Sequence, residues 1–179
     1  MTEYEQLKAA HKADCKRQDA YVWEGRQFAA EITAAFRAHL GCNEVHTVTA
    51  HKPKTEIAPR TAVNPRSAVS LEDNSFFHLT IALWLGSEFD SLSFPVIFKK
   101  LDGMWQVGLE RVPEITSVKP GTNDGLEVVF RNLVALAKDQ MEHGFEQFLA
   151  GKPKQSPLGF TLHREAEEEG ADRAAVTEA

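Results

Sequence analysis

The sequence of 179 residues predicts an α+β fold. We expect a two-layer sandwich in which an antiparallel sheet of four to five strands is flanked by a long N-terminal helix and a long C-terminal helix. Apolar residues recur at helical spacing near both ends of the chain, and alternating strand patterns fill residues 75–118 between them. Strictly alternating strand–helix units are missing, so a parallel doubly wound sheet is not expected.

The first predicted helix covers residues 3–40. Its second half carries a regular apolar stripe, formed by Val22, Ala29, Ile32, Phe36 and Leu40. Gly41 is a natural stop for this helix, and Gly25 marks a potential break within it. The first half is polar, with Tyr4, Leu7 and Cys15 as its only apolar anchors, so we expect it to project from the body or to pack on a partner.

The central part of the chain predicts four strands after an initial one at residues 44–50. The clearest is 75–86, which has one fully apolar face and one mixed face. A hairpin of 92–100 and 104–111 turns at Asp102-Gly103, a strong hairpin signal. A short strand at 112–118 completes the set. Pro95 lacks an N–H, which predicts that its strand lies at an edge or carries a bulge.

A second long helix is predicted to start after Thr122 or Asn123 and to end at Gly151. Its apolar stripe is broad and is expected to pack against the apolar sheet face; it comprises Leu126, Val129, Phe130, Leu133, Leu136, Ala137, Met141, Phe145 and Phe148. We therefore expect a single domain over residues 1–151. Residues 152–179 are predicted to be a flexible tail, because the chain from Arg164 onward carries a net charge of −4.

Residues 52–74 are predicted to form an arm inserted between two strands. The arm contains a near-identical repeat of five residues, which we call its two phrases: Pro-Arg-Thr-Ala-Val at 59–63 and Pro-Arg-Ser-Ala-Val at 65–69. One interpretation is an extended or polyproline stretch. The other, which we prefer, is a protruding β-hairpin with a type I turn at 64–67, since Val63 and Val69 need a place to pack.

Charge and composition restrict the class of protein. No apolar run reaches the roughly 20 residues of a membrane helix, and the acidic N-terminus does not resemble a signal peptide. We therefore predict a cytoplasmic protein without membrane contact. In that compartment Cys15 and Cys42 are expected to be free thiols.

These features predict a non-catalytic protein-interaction module, such as an adaptor, inhibitor or accessory subunit. Its partner is expected to be another protein; nucleic acid is less favoured, because the arm has no aromatic residue for stacking on bases. A homodimer through the first helix or an edge strand would also fit. The predicted contacts are the basic arm and the polar first helix, through Lys52, Lys54, Arg60, Arg66, Tyr4, Leu7 and His11.

The alternative is a small-molecule binding protein or an enzyme with a pocket on the mixed sheet face. The residues that would line it are His78, Thr80, Trp84, Gln106 and Glu110. In that interpretation His78 and Glu110 could form an acid–base pair. The sequence contains no nucleophile elbow, no Cys-x-x-Cys pair and no dinucleotide fingerprint, and this lowers the expectation of an enzyme.

Four potential zinc ligands crowd one region of the chain: His39, Cys42, His46 and His51. Their spacing fits no closed zinc module. A helix that ends near residue 40 and a strand that starts near residue 44 would also point them in different directions. We therefore predict neither a metal site nor a cofactor.

Overall fold

The computed structural model describes residues 2–48, 62–85, 91–110, 112–149 and 159–161. Its architecture is α+β, with an antiparallel sheet and two long helices, one near the N-terminus and one after β7 in the chain, as the sequence predicts. The elements in chain order are α1 (Glu3–Leu40), β1 (Val45–Val48), β2 (Ala62–Val63), α2 (Pro65–Ala68), β3 (Ser70–Leu71), β4 (Phe77–Trp84), β5 (Ser91–Leu101), β6 (Met104–Leu109), β7 (Ile115–Val118), α3 (Asp124–Leu149) and β8 (Gly159–Thr161).

All strand pairs of the sheet are antiparallel, in the order β2-β1-β4-β5-β6-β7. Two short strands lie off this path. β3 pairs with the start of β4, and β8 pairs with the start of β5. The five predicted strands correspond to β1, β4, β5, β6 and β7. The three additional strands have two or three residues each, too few to show an alternating pattern. β8 falls within the segment that the sequence assigns to the tail.

Both long helices cover the same face of the sheet. Phe28 of α1 stacks on Trp105 of β6 with 4.4 Å between ring centroids. Phe36 lies between Phe94 of β5 and Phe130 of α3, with centroid separations of 5.3 and 5.0 Å. The core therefore consists of one layer of aromatic and aliphatic side chains between two helices and the sheet. Met141, predicted to lie on the buried stripe of α3, is exposed.

The first helix is continuous, so the potential break at Gly25 is not formed. At its start, the Thr2 hydroxyl accepts from the Glu5 amide and the Glu5 carboxylate accepts from the Thr2 amide, a capping box. At its end Gly41 has φ 64°, the left-handed cap that glycine favours. Gly25 instead serves packing, because the Phe77 ring occupies the space that a Cβ would need.

The arm does not form the predicted hairpin in the part that is described. Pro65–Ala68 is a short helix whose N-cap, Asn64, accepts from the Arg66 amide at 3.0 Å. Ala62–Val63 pairs with β1 instead of with the second phrase of the repeat, and Ala68 and Val69 pack against the core. Proline fits the first position of a helix as well as a turn, which is why the hairpin interpretation was wrong.

Pro95 lies in a central strand and not at an edge, contrary to the prediction. It faces Thr80 of β4 in the register, and its carbonyl accepts from the Glu110 amide at 2.9 Å. On that side β5 has two partners: residues 96–101 pair with β6, and residues 91–93 pair with β8. Pro95 falls in the gap between these two partners, where no ladder bond needs its missing N–H.

Candidate functional site

The first half of α1 is exposed along its length. Every residue from 2 to 20 is exposed except Cys15, which is half-buried. We call residues 2–20 the projecting segment. At about 1.5 Å per residue it is about 28 Å long. Its exposure confirms that the apolar residues of this half do not contribute to the core.

Apolar side chains of the projecting segment follow the face of α1 that packs on the body. Steps of three or four residues lead backward from Phe36 through Ile32, Ala29, Gly25 and Val22 into the projecting segment. There the same face carries Tyr4, Leu7, His11, Cys15 and Gln18, which we call the stripe. Tyr4 is 73% exposed and Leu7 is 70% exposed. A surface that is buried in one half of the helix is thus open to solvent in the other.

The middle of the stripe holds a histidine and a cysteine one turn apart. The Cys15 sulfur lies 3.7 Å from Nε2 of His11. Asp14 forms an exposed ion pair with Arg17 at 3.0 Å and also accepts from the Gln18 amide group at 2.8 Å. Exposed ion pairs of this kind contribute well under about 1 kcal/mol, so these charged groups can exchange partners at little cost.

The basic arm is described only in part. Arg66 is exposed on α2, which lies beside α1. Lys52, Lys54 and Arg60 lie outside the described residues. Of the predicted arm contacts, Arg66 is thus the one whose position is described, and its helix lies beside α1.

The residues of the predicted pocket have different partners in the structure. Gln106 exchanges hydrogen bonds with Ser117, at 3.0 and 3.1 Å. His78 has Glu72 as its acidic neighbour, with 3.2 Å between Nε2 and Oε2, although the two atoms are not aligned for a hydrogen bond. Glu110 is separated from β4 by β5, and its amide bonds to Pro95.

The same sheet face nevertheless contains buried polar atoms without hydrogen-bond partners. Among the described residues these are Nε2 of His46, Nε2 of His78, Nε1 of Trp84 and Oγ of Ser93. His46 and Ser93 stand on either side of Ala82 in the register, and Trp84 stacks on His46 with ring centroids 3.8 Å apart. Buried polar atoms normally have hydrogen-bond partners, so the cluster that His46, Trp84 and Ser93 form around Ala82 is unusual.

The predicted pocket residue Thr80 lies next to this cluster, opposite Val48 and Pro95. The proximity of His46 and Ser93 was not predicted from the sequence, because it depends on the registers of β1 and β5 against β4. A separate open cavity of about 420 Å³ has Glu72, Asp73 and Asn74 in its described lining. These three residues are not among those of the pocket that the sequence predicted.

Among the described residues, two side chains have clearly shifted pKa values. Burial lowers the pKa of His46, and the nearby Arg37 cation lowers it further, while Glu44 partly opposes both effects. The imidazole is therefore held neutral at a pH where a free histidine is partly protonated. Burial raises the pKa of Tyr21, whose hydroxyl donates to the Ser75 carbonyl at 2.9 Å and accepts from the Lys100 amide.

The crowded histidines do not form a metal centre in the part of the chain that the structure describes. No group of three metal-ligating side chains comes together there. His39 tilts over Phe130 at 5.6 Å, whereas His46 faces Trp84 on the other side of the sheet. His51 lies outside the described residues.

Comparisons with known proteins add no relative to this description. Scans of family models, curated proteins and solved structures found no match. None of the described helices combines the length and the hydropathy that crossing a membrane requires.

Proposed function

We propose that the protein is a non-catalytic interaction module that docks on a macromolecular partner through the stripe of α1, with the basic arm as a second contact. The observation that supports this proposal is the exposure of Tyr4 and Leu7 on the face of α1 that is buried further along the same helix. Amphipathic helices commonly bind by placing such a face in contact with a partner.

Helix energetics support the same proposal. A helical segment of about 19 residues without tertiary packing is only marginally stable in water. In this chain it is capped at Thr2 and continues a packed helix, but its Tyr4 and Leu7 side chains are exposed. A partner that covers Tyr4 and Leu7 would supply the missing packing, at roughly 25 cal/mol for each Å² of apolar surface removed from water.

The arm supplies the second contact in this proposal. Arg66 is exposed, and a guanidinium can bind carboxylates or phosphates of a partner in a bidentate manner. His11 on the stripe adds a polar group among the apolar ones. A partner that presents both apolar side chains and acidic groups would match both elements.

The variant Tyr4→Ala with Leu7→Ala is expected to lose partner binding and to keep its melting temperature. Both side chains are exposed in the folded protein, so their removal affects the partner contact and not the core. Native mass spectrometry of the protein purified gently from its own host measures the assembly, and thermal unfolding measures the fold.

Val128→Ala is the matched control, since Val128 is an exposed apolar residue of α3 and should leave the assembly intact. Arg60→Ala with Arg66→Ala tests the arm in the same assay. If the Tyr4/Leu7 variant assembles like the wild type, docking through the stripe is wrong.

A second candidate function is small-molecule binding on the mixed sheet face. It is favoured by the unpartnered polar atoms of His46, Trp84 and Ser93 around Ala82. A ligand that accepts hydrogen bonds could pair with the Trp84 N–H and the Ser93 hydroxyl. We propose it as the alternative to a docking module.

Trp84→Phe is the sharpest test of that alternative, because it removes the N–H and keeps a ring to stack on His46. If a ligand from a broad screen raises the melting temperature of the wild type, the rise should be lost in Trp84→Phe and kept in the control Trp23→Phe. A screen without any such ligand, or a rise that Trp84→Phe retains, would remove the support for this function.

A further inference from the structure

We infer that the partner on the stripe is a second copy of this chain, paired antiparallel with the first through residues 2–20. This inference rests on the proposed docking function and names the partner. It depends on the spacing of the stripe and on the order of charges along it.

The spacing of the stripe is symmetric about His11. Its members are Tyr4, Leu7, His11, Cys15 and Gln18, separated by three, four, four and three residues. If two copies run antiparallel with His11 at the centre, Leu7 lies level with Cys15 of the second copy and Tyr4 with Gln18. Every stripe residue then meets a stripe residue, as an interface with two-fold symmetry requires.

The order of charges favours the antiparallel arrangement over the parallel one. Glu3 and Glu5 lead the segment, and the basic residues Lys8, Lys12, Lys16 and Arg17 follow. In the antiparallel register Glu5 lies level with Arg17 of the second copy and Lys8 with Asp14, which outnumber the single like-charge pair of Glu3 with Asp19. In a parallel pair without offset, each of these charges would lie level with an identical charge, which is destabilising.

Two further properties agree with the antiparallel pair. Opposed helix dipoles attract, whereas aligned dipoles repel. The two bodies would also lie at opposite ends of the helix pair, about 28 Å apart along its axis, so that they do not compete for the same space. The interface is small, and we expect an equilibrium between monomer and dimer that depends on concentration.

Disulfide trapping tests the register. In a Cys42→Ala background, Leu7→Cys with Cys15 retained should give a covalent dimer under mild oxidation, because positions 7 and 15 of different copies are level. Within one helix these positions are about 12 Å apart, beyond the span of a disulfide. The trapped species is therefore intermolecular.

Two single-cysteine controls report the orientation. With Cys15 alone, or with Leu7→Cys in a Cys15→Ser chain, the cysteines of an antiparallel pair are about 12 Å apart along the axis and should not join. A parallel pair would trap both of them. Ala9→Cys with Cys15 retained is a control on the opposite face of the same helix and should also stay monomeric.

Sedimentation velocity on the unaltered chain gives a second readout that needs no new cysteine. We expect the sedimentation coefficient to rise with concentration, and Leu7→Ala to raise the dimer dissociation constant at least about tenfold, since each dimer loses two leucine contacts. A chain that remains monomeric at all concentrations and is trapped in no variant would overturn the inference, and so would trapping of either single-cysteine control.

These outcomes are separable from failure of the docking function. A parallel pair, or a heterologous partner lost from the Tyr4/Leu7 variant in native mass spectrometry, would leave docking through the stripe intact and remove only the antiparallel second copy. An assembly that is indifferent to Tyr4 and Leu7 would remove both.

Discussion

Replacing Gly25 by valine is expected to lower the free energy of unfolding by about 2–3 kcal/mol, the usual cost of overpacking a core. The Phe77 ring lies directly where a Cβ at position 25 would be. That ring is held in place by Tyr21 at 5.0 Å and by Phe98 at 5.2 Å, so it has little freedom to move. Alanine at the same position should cost less, because it recovers about 1 kcal/mol of helix propensity.

Urea unfolding of the Gly25 variants measures this effect. Ala34→Val is the matched control, because it adds the same kind of bulk to an exposed position of α1 and should cost well under about 1 kcal/mol. Phe77→Leu should partly rescue Gly25→Ala, since it removes the ring atoms that overlap the new methyl group. A Gly25→Val protein with the wild-type midpoint would show that the helix and β4 can separate without cost.

Phe36→Ala is expected to cost about 3–5 kcal/mol, the range found for large-to-small changes in tightly packed cores. Phe36 is fully buried and contacts both Phe94 of the sheet and Phe130 of α3. Its removal would leave a cavity where α1, α3 and the sheet meet, and none of these elements can close it alone.

The same unfolding experiment with Trp23→Ala is the control. Trp23 is larger than Phe36 but is 62% exposed on α1, so its removal should change the unfolding free energy by about 0.5 kcal/mol or less. Equal effects of the two substitutions would mean that burial does not determine their cost and that the packing described here is wrong.

The sequence predicts the long-period features of this fold well. The helical stripes of α1 and α3 and the alternation of β4, β5 and β6 repeat over many residues, so they indicate element and face together. Short elements lack such repetition, which is why β3 and β8 were not predicted and β2 was assigned the wrong partner strand. Pro95 was misplaced because its tolerance in a central strand depends on where β6 and β8 end, and this is a property of tertiary structure.

The candidate site shows the same contrast between what local patterns predict and what depends on tertiary structure. Tyr4, Leu7 and His11 were identified from sequence, because an apolar side chain in a polar helix stands out without knowledge of the fold. Their exposure on the face that α1 uses for packing became visible only in the structure. His46 and Ser93 were missed as a pair, since they approach Ala82 from two different strands whose registers no local pattern reveals.

The ends of the sheet limit how this protein can associate. Among the described residues the outermost strands are β2, with two residues, and β7, with four. An added strand could form few backbone hydrogen bonds with either, and Pro120 follows closely after β7. Short edges are a common protection against sheet extension and aggregation. If the stripe docks on a partner as proposed, these short edges would keep that contact from continuing into fibre growth.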